Sequence, residues 1–186
     1  MRYSTHAART TGLATLAVIT ASCLYESPDA NPERLALEDW SRATVLLLRE
    51  TTDCEGQTTK VALALVGEAT EFTGDDVAHL SVDCSDESSV AMGIDVNAHS
   101  VVFDFSTVAK ASAFAAAQVD GYLIESLSLT PDIIGIEIDH DETTLDVSMT
   151  DLEFGSHFLM ANFAGREFDA ASRVKIDLIF ADDSAN

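Results

Sequence analysis

Apolar residues recur at every second position in short segments between residues 43 and 180, and turn-forming residues separate these segments. In the last segment Val174, Ile176 and Leu178 alternate with Lys175 and Asp177, as in an antiparallel strand with one buried face. The other segments of this kind are residues 43–49, 60–66, 77–84, 90–96, 101–105, 122–126, 133–139, 145–149 and 158–163. About ten strands at this spacing predict an all-β domain, built as an antiparallel two-sheet β-sandwich.

Two segments favour helix instead of strand. Asn31 is a capping residue followed by Pro32, a pair that suits the first turn of a short helix within residues 32–40. Residues 106–118 contain six alanines, the strongest helix-forming composition in the chain, and Gly121 is placed to end a helix there. We therefore expect one short helix over residues 106–118, crossing between the two sheets.

The N-terminal segment has the features of an export signal. Residues 1–22 contain two arginines, no acidic residue and a short apolar run at 13–21, as a secretory signal peptide does. The run is less than half of the ~20 apolar residues that a membrane span needs. The stretch Thr20-Ala21-Ser22-Cys23 resembles the lipobox of bacterial lipoproteins, in which the cysteine is acylated and becomes the mature N-terminus. Thr20 stands where that pattern usually has leucine, so ordinary signal cleavage remains the alternative.

The signal, the polar segment after it and the strand pattern together predict the organisation of the whole chain. Residues 1–22 are the signal peptide, residues 23–42 a polar tether held by a lipid at Cys23, and residues 43–183 the β-sandwich domain. Leu24 follows the cysteine, which in enteric lipoproteins favours the outer membrane. The resemblance thus implies an outer-membrane or cell-surface lipoprotein, and ordinary cleavage implies a periplasmic or extracellular protein.

Charge excludes two classes of partner. The chain carries 10 Lys and Arg against 32 Asp and Glu, a net charge of −22. Loss of residues 1–22 removes two of these cations and none of the anions, which leaves 8 against 32, or −24. Such a domain is repelled by nucleic acid and by anionic lipid, so we expect membrane contact only through Cys23. The charge itself favours a solubilising surface, or else cation binding or a basic partner.

Export changes the interpretation of the two remaining cysteines. Cys54 and Cys84 are free to pair in an oxidising compartment, and acylation of Cys23 accounts for the third cysteine. Acidic residues flank both sulfurs, a setting that disfavours a reactive thiolate. We predict a structural disulfide between Cys54 and Cys84.

Motifs for known catalytic chemistry are missing from the sequence, and we assign no catalytic residue and no required cofactor. The densest acidic segment is residues 137–146, where Asp139, Asp141 and Thr143 could offer oxygen ligands to Ca²⁺. The spacing is not that of an EF-hand, because Thr144 stands at the glycine position. A solvated hairpin turn is the simpler interpretation of this loop.

These features favour a non-enzymatic envelope-anchored or secreted module that acts by binding or by supporting a surface structure. Its partner would be a protein or a surface glycan. A calcium-dependent adhesion module is one alternative. A secreted hydrolase that uses loop carboxylates such as Asp139 and Asp141 as acid and base is the other.

Overall fold

Eleven strands, one α-helix and one 3-10 turn (Met149–Asp151) form the regular structure of residues 37–52, 61–80 and 90–181, which are the residues that the computed structural model describes. The helix α1 is Gly74–His79. The strands are β1 Thr44–Thr51, β2 Val61–Leu65, β3 Gly93–Val96, β4 Ser100–Asp104, β5 Ser112–Ala113, β6 Asp120–Ser126, β7 Ile133–Ile138, β8 Leu152–Gly155, β9 Phe158–Asn162, β10 Glu167–Phe168 and β11 Arg173–Phe180.

The strands form three antiparallel sheets, which confirms the all-β prediction. One sheet has five strands in the order β2-β1-β6-β9-β8, and another has four in the order β3-β4-β11-β7. The third sheet contains only β5 and β10. The prediction of two sheets was therefore too simple, because two-residue strands leave no alternation to detect in a sequence.

Aromatic side chains join the two larger sheets in one core. The Phe103 ring of β4 lies 6.5 Å from the Tyr122 ring of β6 and 5.1 Å from the Phe163 ring after β9. All three side chains are almost completely buried. Aromatic pairs at such centroid distances and tilted angles add to the stability that burial provides.

The helix predicted over residues 106–118 is absent. Ser112–Ala113 form β5 instead, paired with β10, and the Phe114 amide donates to the Arg166 carbonyl at 2.9 Å. The Phe114 ring packs 5.2 Å from Phe163 and 5.0 Å from Phe168. Tertiary hydrogen bonds and ring burial thus override the helix propensity of the alanines.

The α-helix lies where the sequence pattern predicted the start of a strand over residues 77–84. The Thr73 side chain accepts from the Asp76 amide, and the Asp76 side chain accepts from the Thr73 amide. This reciprocal cap satisfies amides that the first turn would leave unpaired. Val77 is the buried residue of the helix. The strand predicted over residues 77–84 was therefore wrong at residues 77–79, which are helical. Residues 81–84 lie outside the described ranges.

Two further segments differ from prediction. Residues 145–149 contain no strand, and the 3-10 turn begins at Met149. Residues 38–40 form bends and residues 37–40 contain no helix. Trp40 is completely buried, and its ring lies 6.3 Å from the Phe180 ring. The described residues all belong to one compact unit. The predicted signal (residues 1–22) and residues 23–36 of the tether lie outside the described residues.

Candidate binding surface

The outward face of the five-stranded sheet is apolar where β1 pairs with β2. Side chains alternate between the faces of a strand, and Val45 and Leu47 of β1 are fully buried on the core side. Leu46 therefore faces outward, opposite Leu63 of β2. We call this outward surface the β1–β2 face, which consists of Leu46, Leu48, Val61, Leu63 and Leu65.

The β2 side chains are its most open part. Val61, Leu63 and Leu65 are 54%, 61% and 69% exposed. The intervening Ala62 and Ala64 are partly buried against the core. The large side chains of β2 thus face solvent and the small ones face the core, the reverse of an ordinary half-buried strand. A contiguous apolar patch of this kind is typical of an interaction site.

Apolar residues continue on the outward side of β6 and β9 but are less exposed there, and Met160 of β9 is buried at 8%. Leu123 of β6 pairs with Leu48, and Met160 of β9 pairs with Leu123. Three carboxylates interrupt this side of the sheet: Glu125 is opposite Leu46, Glu50 follows Leu48 at the next outward position of β1, and Glu153 of β8 is opposite Met160. The apolar character is therefore strongest at the β2 edge and weaker toward the middle of the sheet.

The outward face of the four-stranded sheet is different, because it is charged. Arg173 of β11 lies 3.4 Å from Asp104 of β4. The Lys175 ammonium lies 2.9 Å from Asp139 and 2.7 Å from Glu142. This sheet also exposes Ile134 and Ile179, at 61% and 42%, so its exterior mixes apolar and charged residues, whereas β2 exposes apolar side chains alone.

Strand β2 is an edge strand that lacks the usual protection against pairing. Its one neighbour among the described strands is β1. Its sequence, Val-Ala-Leu-Ala-Leu, contains no charge and no proline, the residues with which proteins commonly block the edges of sheets. Such an edge can accept a further strand from another chain.

A buried ion pair fixes the other end of β1. The Arg49 guanidinium donates to the Asp120 carboxylate and to the Tyr122 hydroxyl. The side chains of Arg49 and Asp120 are only 9% and 1% exposed. The guanidinium also lies over the rings of Tyr122 and Phe114, 4.7 Å and 5.3 Å from their centroids, distances typical of cation–π contacts.

Asp120 extends this cluster into the neighbouring loops. Its carboxylate accepts from the Ala115 amide at 2.7 Å, and its own amide donates to the Asn162 side chain at 3.0 Å. Burial raises the pKa of the Tyr122 phenol to about 12, against the opposing effect of the Arg49 charge, so the phenol stays neutral. The cluster holds β1, β6 and β9 together and so keeps the β1–β2 face in register.

The predicted calcium ligands Asp139, Asp141 and Thr143 lie in the loop after β7. The positive charge next to this loop is the ammonium group of Lys175. Asp139 accepts from the amides of Asp141 and Glu142 at 3.0 and 3.2 Å. Thr143 donates through its hydroxyl to the Lys175 carbonyl at 3.3 Å. The hydrogen bond from Lys175 lowers the pKa of the Asp139 carboxyl, and hydrogen bonds from its ammonium to Glu142 and Asp139 raise the pKa of Lys175.

This ammonium already pairs with Asp139 and Glu142, so Ca²⁺ would have to displace it. Among the described residues, no group of three or more His, Cys, Asp or Glu side chains is arranged to hold a metal ion. The calcium hypothesis therefore stays a prediction.

Two surface depressions bear on the hydrolase alternative. The larger, of about 620 Å³, is formed around β5 and β10, and the smaller, of about 260 Å³, contains Asp95, Asp104 and Arg173. Neither Asp139 nor Asp141 is among the described residues that line them. Asp104 is paired with Arg173 and accepts from the Ser106 amide, a pattern that favours a structural role.

The sequence carries one signal for the β1–β2 face. The uncharged Val-Ala-Leu-Ala-Leu run alternates large with small residues, a pattern that distinguishes two sides of the strand but not which side faces the core. The Arg49 cluster had one weak signal, a single arginine at the end of an apolar strand. Its partners Asp120 and Tyr122 are about 70 positions away, a separation that local patterns do not connect.

The remaining predicted sites, Cys23, Cys54 and Cys84, lie outside the described residues, and the lipid anchor and the disulfide stay predictions. A comparison with models of protein families, with curated proteins and with solved structures found no match to this chain. Within the described ranges, no helix has the length and hydrophobicity needed to cross a bilayer.

Proposed function

We propose that the protein is a non-enzymatic binding module of the bacterial envelope that acts through the β1–β2 face. It is exported and anchored by a lipid at Cys23 to the outer membrane or cell surface, or is periplasmic or extracellular if cleavage is ordinary. The observation that carries the proposal is the open apolar exterior of β2 in a chain with a net charge of −22.

Several properties of the face favour a protein partner over a surface glycan. Its members are aliphatic, whereas sugar sites usually stack aromatic rings against sugars. An uncharged strand edge also offers backbone hydrogen bonds to an incoming strand, with side-chain contacts at alternate positions. A strand of a partner protein can make both contacts, backbone hydrogen bonds with the edge and apolar contacts with the aliphatic side chains.

The two larger sheets serve in this proposal as the layers of a β-sandwich, with β5 and β10 as a small addition. The ring contacts of Phe103 with Tyr122 and Phe163 support this interpretation. A rigid sandwich would present the β1–β2 face without the conformational cost of ordering a loop.

In-cell photocrosslinking tests the proposal. A photoactivatable amino acid replaces Leu63 in one strain and Ile134 in another. Ile134 is also 61% exposed but lies on β7 of the other large sheet, so it is a matched control. We expect a discrete adduct from position 63 and none from position 134. The adduct should disappear when Leu65→Asp adds a charge to the same face, because burying that charge opposes binding.

Two results would contradict the proposal. One is equal crosslinking at positions 63 and 134, which would indicate random encounters. The other is a lack of adducts at position 63 in cells that export the protein normally.

A further inference from the structure

Strand β2 is self-complementary about its central residue. Its outward residues are Val61, Leu63 and Leu65, and its inward residues are Ala62 and Ala64. If two copies meet through antiparallel β2 strands with the two-fold axis at Leu63, Leu63 lies opposite Leu63 of the second copy. Valine then lies opposite leucine, and alanine opposite alanine. An isologous dimer uses the same surface on both copies, so that surface must be complementary to itself, as β2 is.

Charge favours this arrangement over stacking of the two apolar faces. Glu125 lies level with Leu63, because both residues are opposite Leu46. Strands are about 4.8 Å apart, so the five strand spacings between the two Glu125 positions amount to about 24 Å in an edge-paired dimer. That distance exceeds the Debye length of about 8 Å at physiological ionic strength. Face-to-face stacking would instead press each Glu125 against the apolar surface of the other copy.

We propose that β2 pairs antiparallel with β2 of a second copy, which gives a continuous ten-stranded sheet with a joined apolar exterior. The inference rests on the proposed function and names its partner. The β2 strand carries no charge of its own, so pairing β2 with β2 brings no like charges together within the paired strands.

The size of the contact predicts a weak and reversible dimer. Edge pairing places the exposed side chains of the two β2 strands beside each other but leaves their outer surface open, so each copy buries only part of the three side chains. Even with the paired backbones, the interface falls below the about 1,200–2,000 Å² of stable complexes. We therefore expect dissociation constants in the micromolar range or weaker. Attachment to one membrane raises the effective concentration of the copies and so favours the dimer there.

Sedimentation velocity tests the association. The sample is the chain without residues 1–22 and with Cys23→Ser, which retains every residue that the structure describes. We expect the sedimentation coefficient to rise with concentration toward that of a dimer. The dimer fraction should grow with NaCl, because salt screens the repulsion between acidic copies. Leu63→Asp should remain monomeric, and the control Ile134→Asp should dimerise like the parent.

Cysteine crosslinking tests the register. Opposed residues of an antiparallel pair have Cα atoms about 4.5–5.5 Å apart, within the range of a disulfide. Leu63→Cys should therefore form a covalent dimer on mild oxidation. Leu65→Cys should not, because its two copies would be four residues out of register, or about 14 Å apart. The parent chain shows whether Cys54 or Cys84 crosslinks by itself.

The dimer proposal is overturned if the parent stays monomeric at submillimolar concentration in high salt, or if Leu63→Asp dimerises equally. Crosslinking through Leu65→Cys in place of Leu63→Cys would overturn the register. A monomeric purified protein that still forms an adduct with a different protein at position 63 in cells would refute the dimer and leave the proposed function standing.

Discussion

Replacement of Arg49 by methionine should destabilise the domain severely. Methionine keeps the length and apolar character of the side chain but leaves the Asp120 carboxylate, only 1% exposed, without its guanidinium. It also removes the cation–π contacts with Tyr122 and Phe114. Breaking a buried ion pair by removing one partner typically costs about 3–5 kcal/mol.

This cost is a large part of the about 5–15 kcal/mol by which a domain is stable. For a domain of about 150 residues, each kcal/mol lowers Tm by about 2–4 °C, so we expect a decrease of roughly 6–20 °C. The double variant Arg49→Met, Asp120→Asn should recover part of the loss, because the amide carries no charge to leave unpaired. Urea unfolding of the two single variants and the double variant measures the coupling between the residues.

The matched control is Arg173→Met. Arg173 is also an arginine in ion pairs, with Asp104 and Glu142, but its side chain is 38% exposed. Exposed pairs contribute less than about 1 kcal/mol. If Arg49→Met cost no more than Arg173→Met, or if the double variant showed no recovery, the interpretation of the Arg49 cluster as the anchor of β1 would be refuted.

Three further predictions concern the loop, the cysteines and the anchor. Millimolar Ca²⁺ at constant ionic strength should leave Tm unchanged, because Lys175 already pairs with Asp139; a rise of several degrees that Asp139→Asn abolishes would establish a calcium site. Cys54 and Cys84 should resist thiol labelling in unfolded protein until a reductant is added, and labelling without reductant would show that they are not bonded. Cys23→Ser should move the protein from the membrane fraction to the soluble fraction, since lipid chains supply the membrane affinity; equal fractionation of mutant and wild type would indicate ordinary signal cleavage.

Alternation in the sequence predicted the strands whose two faces have different environments. In β11, Val174, Ile176 and Leu178 are buried, and the charged residues between them are only partly so, so the period of two is visible. Local sequence patterns gave the wrong secondary structure where contacts between distant residues determine the conformation. The alanines of residues 106–118 favour helix, but Phe114 gains more from its ring contacts with Phe163 and Phe168.

The candidate sites show the same limit. The sequence identified the acidic loop at Asp139, but not the ammonium that β11 brings to it from 36 positions away. It also predicted a strand at β2, yet alternation alone does not reveal which side of a strand faces the core. In β2 the small side chains of Ala62 and Ala64 face inward, and the large ones face solvent.

The most direct test of the β1–β2 face is the labelling rate of a cysteine at position 63 with a polar maleimide, on intact cells and on dilute purified protein. Ile134→Cys is the reference, since both side chains are 61% exposed. We predict similar rates for the two positions in dilute solution and several-fold slower labelling of Leu63→Cys than of Ile134→Cys on cells, because a partner covers β2 there. Equal rates at the two positions in both samples would contradict the claim that the β1–β2 face is the functional surface.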